Sequence, residues 1–263
     1  MISLWWEFLK ADVAHLVEYK KSALSEFAFY LVETGVWLVF WQTISFHFPK
    51  LGNWSQSDLI ILVGVTGIYL GTWASFFIFP AIMPYLILDG TTFEKYMTKP
   101  VPLFPTLVGE RFQLRRVSQQ LLVGLIIVIG GFFVKNEIPS IINIGMAVLL
   151  MLLGICALSI FQGSLNCLAF WIPQWSFGFF TDPMIDLSRF PLDRLRSHAK
   201  IFLMMGIPIM FLATIPTQAL LGRIVWEDFF LYCIMMLVFI GFWSIIFHNL
   251  WQRGLQRFSS GGG

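Results

Sequence analysis

Four histidines, three cysteines and 15 carboxylates are the side chains of this 263-residue chain that could bind a metal, attack a substrate or move a proton. Their spacing argues against each of these. His15, His47, His198 and His248 stand apart, with no pair at ligand spacing and no His-Glu-x-x-His. Cys156, Cys167 and Cys233 make no Cys-x-x-Cys and lie in or near apolar runs, so no disulfide framework is expected. There is no Gly-x-Ser-x-Gly elbow, and no phosphate-binding loop of the form Gly-x4-Gly-Lys-Ser/Thr. One ionisable residue stands out. Glu33 falls well inside an apolar stretch, and at that depth in a bilayer a carboxylate is paired, protonated or facing water. A transport role and plain helix packing both account for it. Gln162, Ser164 and Asn166 cluster late in another apolar run, where they either line a cavity or bond between helices. Catalysis inside a membrane needs a second carboxylate or a histidine facing Glu33, and the sequence places none.

The elements that must position these residues are membrane spans. The chain is 57% hydrophobic and 12% charged, with 11 Trp and 28 Phe, whereas soluble domains carry about 25% charged residues. That composition defines a polytopic all-α membrane protein. The net charge of +2 gives no reason to expect nucleic acid as a partner. Residues 1–21 are too polar to span, yet Trp5, Leu9, Val13, Leu16 and Val17 fall at near-helical spacing. They read as an interfacial helix, and no cleavable signal peptide is expected. Residues 258–263, ending in a Ser-Ser-Gly-Gly-Gly run, read as a flexible tail.

Six spans follow, at about 22–46, 59–81, 119–134, 138–171, 201–221 and 226–251. The second carries Gly64, Gly67 and Gly71, a small-residue face suited to close helix contact. The fifth is interrupted by Pro208 and Pro216, which favours a broken or re-entrant helix over a clean crossing. Of the 17 basic residues, 10 fall in the amino-terminal segment, the loop after the second span and the carboxyl tail. Lys50, Lys135 and Arg223 fall opposite, so both termini are expected in the cytoplasm. The same rule sends Arg189, Arg194, Arg196 and Lys200 to the cytoplasm as well.

The loop after the second span (87–117, within a polar interval of 86–119) carries five of those basic residues: Lys95, Lys99, Arg111, Arg115 and Arg116. Asp89-Gly90 signals a turn, and Thr91-x-x-Glu94 has the form of a capping box. Pro100, Pro102 and Pro105 should stop the resulting short helix, with a second one over about 106–116. This is a shaped basic platform, on which something soluble is expected to dock.

Two runs resemble a known family. Leu86-Ile87-Leu88-Asp89-Gly90, Phe93-Glu94-Lys95-Tyr96-Met97 and Lys99-Pro100-Val101-Pro102-Leu103-Phe104 resemble a hallmark of one branch of the ABC-2 type permeases. Phe190-Pro191-Leu192, Ile207-Pro208, Pro216 and Gln218-Ala219-Leu220-Leu221-Gly222-Arg223 resemble the same branch's pattern near its last span. The resemblance implies one transmembrane domain over 1–257, the permease half of an ATP-driven exporter. It implies a separate nucleotide-binding ATPase subunit holding the ATP and magnesium, a second permease, identical or paralogous, and a bacterial inner membrane. Thr92, Phe93, Glu94, Lys95, Tyr96, Met97, Lys99 and Pro100 would form the ATPase-coupling helix, and a re-entrant element would precede the last span on the outer side. Glu33, Gln162 and Asn166 are then the candidates for the path of an amphipathic substrate. A lipid-modifying enzyme and a channel or scaffold subunit are the alternatives.

Overall fold

The computed structural model describes residues 10, 14, 18, 20–48, 52–98, 103–110, 120–172 and 175–258. The interfacial helix expected over 1–21 and the tail after Phe258 therefore lie almost wholly outside the described residues. Eleven α-helices run through the described residues: α1 (Lys20–His47), α2 (Gln56–Phe76), α3 (Phe79–Leu88), α4 (Thr91–Met97), α5 (Leu103–Glu110), α6 (Leu122–Lys135), α7 (Ile141–Asn166), α8 (Gly178–Leu187), α9 (Ser197–Ile201), α10 (Thr214–Leu220) and α11 (Trp226–Arg257). Four of them, α1, α2, α7 (prolonged by a 3-10 turn to Phe170) and α11, are long and apolar enough to cross a membrane. The segment Ser197–Gly206 with Ile209–Leu220 passes the same test as a pair, but is bent by 77°.

Residue chemistry sets the helix ends. Ser55 and Asp58 form a reciprocal capping box that starts α2. Ser140 caps α7 by accepting from the Asn143 N–H at 3.1 Å. Asn136 closes α6 in the left-handed region at φ 54°, which makes a tight turn at Lys135-Asn136-Glu137. The second span ends earlier than expected, at Phe76 rather than near residue 81. Pro80, with no N–H and a fixed φ, cannot continue that helix and instead sits in the first turn of a new one, α3.

Glycines let α2 and α6 meet backbone to backbone. A Cβ on Gly64 would sit 2.8 Å from the Gly124 carbonyl oxygen, and one on Gly124 would sit 2.6 Å from the Ile68 nitrogen. The small-residue face of the second span is thus a helix seam. Its hydroxyls do not cross that seam: Thr66, Thr72 and Ser75 each donate to a carbonyl four residues back in α2.

Two ends of the bundle are defined by long-range contacts. At the Trp54 end, the Trp54 indole donates to Asp193 (2.9 Å), and the Arg194 guanidinium lies over Gly52. Asp58, 1% exposed, holds Lys135 at 3.2 Å and Arg223 at 2.5 Å. At the Phe93 end, Phe79, Phe93, Tyr96, Leu107, Cys167 and Trp251 share one core cluster. Arg189 and Arg194 do not join the basic residues of the platform, as the charge rule led us to expect. Arg194 reaches the Trp54 end, and Arg189 is drawn into the bundle by Glu33. A count of basic residues could not register this, because what each of them meets is distant in the sequence.

The bent segment explains itself at Ile207-Pro208. The residue before a proline is pushed out of helical geometry, and Ile207 is extended at φ −133°, ψ 113°. Phe211, just past the bend, lies on Gly154 at the middle of α7, where a Cβ would come within 2.7 Å of it. Eleven residues on, Gly222 lies beside Asn143 at the start of α7, and Arg223 reaches Asp58. The second arm therefore climbs from mid-bundle to the Trp54 end.

Candidate functional site: the α4 platform and the Glu33 cleft

The α4 helix has seven residues, too few to be stable alone in water. It is held by two side chains one turn apart. Phe93 is fully buried and meets Phe170, Trp251 and Phe258 edge-on at centroid distances of 5.9, 6.2 and 4.9 Å. Tyr96 is buried in the same cluster. The other side is outward: Lys95, Met97 and Thr98 are exposed, and Glu94 is half-buried. Thr92 is the second residue of the helix, whereas Lys99 and Pro100 lie outside the described residues.

Two details differ from expectation. Thr91 is not at the N-cap position that the Thr91-x-x-Glu94 capping box needs. Gly90 is the N-cap, with no side-chain cap bond, because the turn at Asp89-Gly90 already starts the helix at Thr91. Pro105 does not terminate a helix either. It sits in the first turn of α5, where its missing N–H costs no bond, and that helix begins at Leu103 rather than near residue 106.

Trp251 makes the platform continuous with the last span. Its ring stacks on Phe247 at 6.0 Å and takes the edges of Phe79, Phe93, Phe104 and Phe170. Below it, Gly254 admits the Phe170 ring into the space a Cβ would fill. These aromatic contacts tie α4 to α11 and to the 3-10 turn that prolongs α7.

The second candidate region is a cleft of about 30 Å³ between α1 and α2, room for a water or two. Glu33 lines it and accepts from the Arg189 guanidinium at 2.6 Å. Arg189 also reaches Asp186 at 3.3 Å and lies 5.0 Å from the Trp37 ring centroid. Its backbone carbonyl accepts from the Trp41 indole. Glu33 is thus paired and also faces a polar cleft, and the chain just after α8 is fastened to α1 by three independent contacts. Gln120, at the foot of α6, lines the same cleft, and its side-chain oxygen has no partner among the described residues.

The remaining candidates lie elsewhere. Asn166 is fully buried at the far end of α7 from Asp58. It donates to the Pro80 carbonyl and accepts from the Phe177 N–H, both at 2.8 Å. It thereby satisfies backbone groups freed by the break before α3 and the turn into α8. Gln162 is fully buried one turn earlier in α7, and Ser164 donates to Trp243 O on α11. The structure brings none of these three to the Glu33 cleft. Sequence reasoning missed Arg189 as the Glu33 partner, 156 residues away, and the Asp58–Lys135–Arg223 cluster. Ser55-x-x-Asp58 was a legible capping signature, but nothing local announced its two cations.

Long apolar helices, a bent helix pair and a polar-rimmed aromatic platform define an all-helical, multi-pass membrane protein. Comparison with known families narrows this: residues 31–262 match the ABC-2 family transporter protein, and the chain belongs to that family. No curated relative and no solved structure matches it. Family membership makes the chain a transmembrane component of a transporter rather than a catalyst, and implies partnering with the membrane and an ATP-binding subunit.

Proposed function

We propose that this chain is the permease subunit of an ATP-driven exporter of an amphipathic or hydrophobic substrate, working with a separate ATPase and a second permease. The observation that carries this reading is α4: a short helix anchored inward by Phe93 and Tyr96, with Lys95 and Met97 turned outward on a rigid mount. ATP-driven closure of the ATPase pair would push on residues 92–100, and the mount would convey that push to α11 and α7. ATP and magnesium reside on the ATPase.

In this reading the Phe93 end faces the cytoplasm and the Trp54 end faces outward. The chain crosses six times, through α1, α2, α6, α7, the α8 segment and α11. The contacts of Phe177 with Asn166 and of Asp193 with Trp54, at opposite ends, support the α8 crossing. The bent pair is then a re-entrant element on the outer side. Arg189, Arg194, Arg196 and Lys200 leave the cytoplasmic count under this arrangement, yet 10 of 17 basic residues still lie at the cytoplasmic face with both termini. The setting we propose is a bacterial inner membrane.

The substrate path we propose runs past Glu33 and Arg189, with Gln162 and Asn166 shaping the α7 wall rather than touching cargo. Charges of both signs in one cleft suit a substrate with a polar head and an apolar body. The test is Tyr96→Pro, which breaks α4 beside its buried anchor. Substrate-stimulated ATPase activity should be lost while the permease remains inserted and folded. Undiminished coupling overturns the assignment.

A further inference from the structure

The cations toward the Trp54 end fall into two groups. Lys135, Arg189 and Arg223 are each ion-paired, to Asp58, Glu33 and Asp58 respectively. Arg194, Arg196 and Lys200 pair with no carboxylate among the described residues. Asp193, the one carboxylate in 190–200, accepts from the Trp54 indole. Arg194 and Arg196 are exposed and Lys200 is half-buried. These three do not sit on a slack loop. The Arg194 guanidinium packs over Gly52, and the Lys200 N–H donates to the Arg196 carbonyl at 3.0 Å to open α9. We propose that residues 194–205 bind an anionic phospholipid such as phosphatidylglycerol, with its phosphate on Arg194, Arg196 and Lys200 and its acyl chains on Ile201, Phe202 and Met205.

Depth and charge together select that occupant. The first arm of the bent pair starts beside Arg194 at the Trp54 end, and Phe211, just past the bend, lies at the middle of α7. Over Ser197–Gly206 a helix rises about 15 Å, which matches the ~15 Å of hydrocarbon in one leaflet. The cations therefore stand at head-group level, and the apolar side chains follow below them. Leu203 and Ile207 face the bundle and are buried, whereas Ile201, Phe202 and Met205 are 55%, 52% and 58% exposed. A ligand that is anionic at one end and apolar at the other satisfies both sets. A soluble acidic partner would leave the three apolar side chains bare, and the ammonium of a zwitterionic head group would be repelled by three cations. Uncompensated cations on the outer side also run against the charge bias of membrane proteins, and a lipid phosphate supplies the missing compensation. Guanidinium groups suit a phosphate because they donate in a fixed fork. No residue of α9 is buried, so its order depends on what covers it.

The binding needs only the Trp54 end at a membrane surface and not the ATPase, so a failure of coupling leaves it standing, and the reverse. The experiment places the full chain in lipid nanodiscs and follows amide hydrogen exchange by mass spectrometry. Replacing phosphatidylcholine step by step with phosphatidylglycerol should slow exchange across residues 197–206 several-fold and leave α10 unchanged. A basic residue near an anionic surface contributes about 1 kcal/mol, a factor of about five. Lys200→Gln should therefore raise the phosphatidylglycerol fraction needed for half the effect by about fivefold. Arg196→Lys, which keeps the charge, should retain most of the slowing. Exchange indifferent to phosphatidylglycerol, or slowing that survives Arg196→Gln combined with Lys200→Gln, would overturn the proposal. Equal slowing in phosphatidylcholine discs by inorganic phosphate or by polyglutamate would overturn it too, assigning the patch to a free anion or to an acidic protein.

Discussion

If α4 is held only by its inward side chains, then removing Phe93 should release it without unfolding the bundle. Phe93 is fully buried and touches three aromatic rings. Truncating a buried Phe to Ala costs about 3–5 kcal/mol. The low end applies here, because Phe170 and Phe258 are only partly buried and can close into part of the space. A seven-residue helix has no stability of its own to offset that loss. At about 1.4 kcal/mol per factor of ten, a 3 kcal/mol loss raises the local opening equilibrium roughly 100-fold. Amide exchange across residues 91–97 should therefore accelerate by about that factor in Phe93→Ala, with α2 and α7 unchanged. Substrate-stimulated ATPase activity should fall with it. Lys95→Ala is the companion variant, because Lys95 is exposed. It should leave exchange untouched and weaken only the grip of the ATPase. Exchange in Phe93→Ala that matches the parent would refute the anchoring argument outright.

Three further outcomes follow from the same contacts. Arg189→Ala leaves Glu33 unpaired among apolar helices and should destabilise the protein by about 1–2 kcal/mol, since both groups are only partly buried. The double variant Glu33→Gln with Arg189→Gln should recover most of that loss in a thermal melt, and no recovery means the pair is not coupled. Gly124→Val forces backbones apart at the α2–α6 seam and should cost about 1–3 kcal/mol or more. Gly130→Val, with nothing within 4 Å of its Cβ position, should be nearly silent, and equal effects would contradict the seam. Asn166→Ala leaves the Pro80 carbonyl and the Phe177 N–H unpaired in the interior, at about 1–3 kcal/mol each. A melting curve unmoved by that change would show that Asn166 does not hold this junction.

What could be read from the sequence was whatever is written locally. Hydropathy located α1, α2, α7 and α11 to within a few residues at most ends, because burial in a bilayer demands long apolar runs. Pro208 announced the bend, and Gly64, Gly67 and Gly71 announced the seam, because both act through the backbone of their own segment. The helix after the second span was legible from the Asp89-Gly90 turn, although the capping box read at Thr91 and Glu94 is not what starts it. What escaped was long-range. Arg189 looked like a loop cation, since nothing near it in sequence reveals that Glu33 waits on α1. For Asn166 the sequence left a cavity and a bond between elements equally open, because its partners, Pro80 O and Phe177 N, are backbone atoms that any sequence offers. Asp58 drew no attention as a charge, although it gathers Lys135 and Arg223 from two distant turns.

The measurement that bears most directly on the function is recovery of the partner. The chain would be solubilised in mild detergent from its native membrane and purified, with ATPase activity and protein content of the eluate assayed. The account predicts a P-loop ATPase in that eluate, together with a second permease. Both the ATPase and its activity should be diminished when Lys95 and Met97, the outward side chains of α4, are replaced by Glu. A folded, monodisperse protein that recovers no ATPase under any mild detergent condition would contradict it.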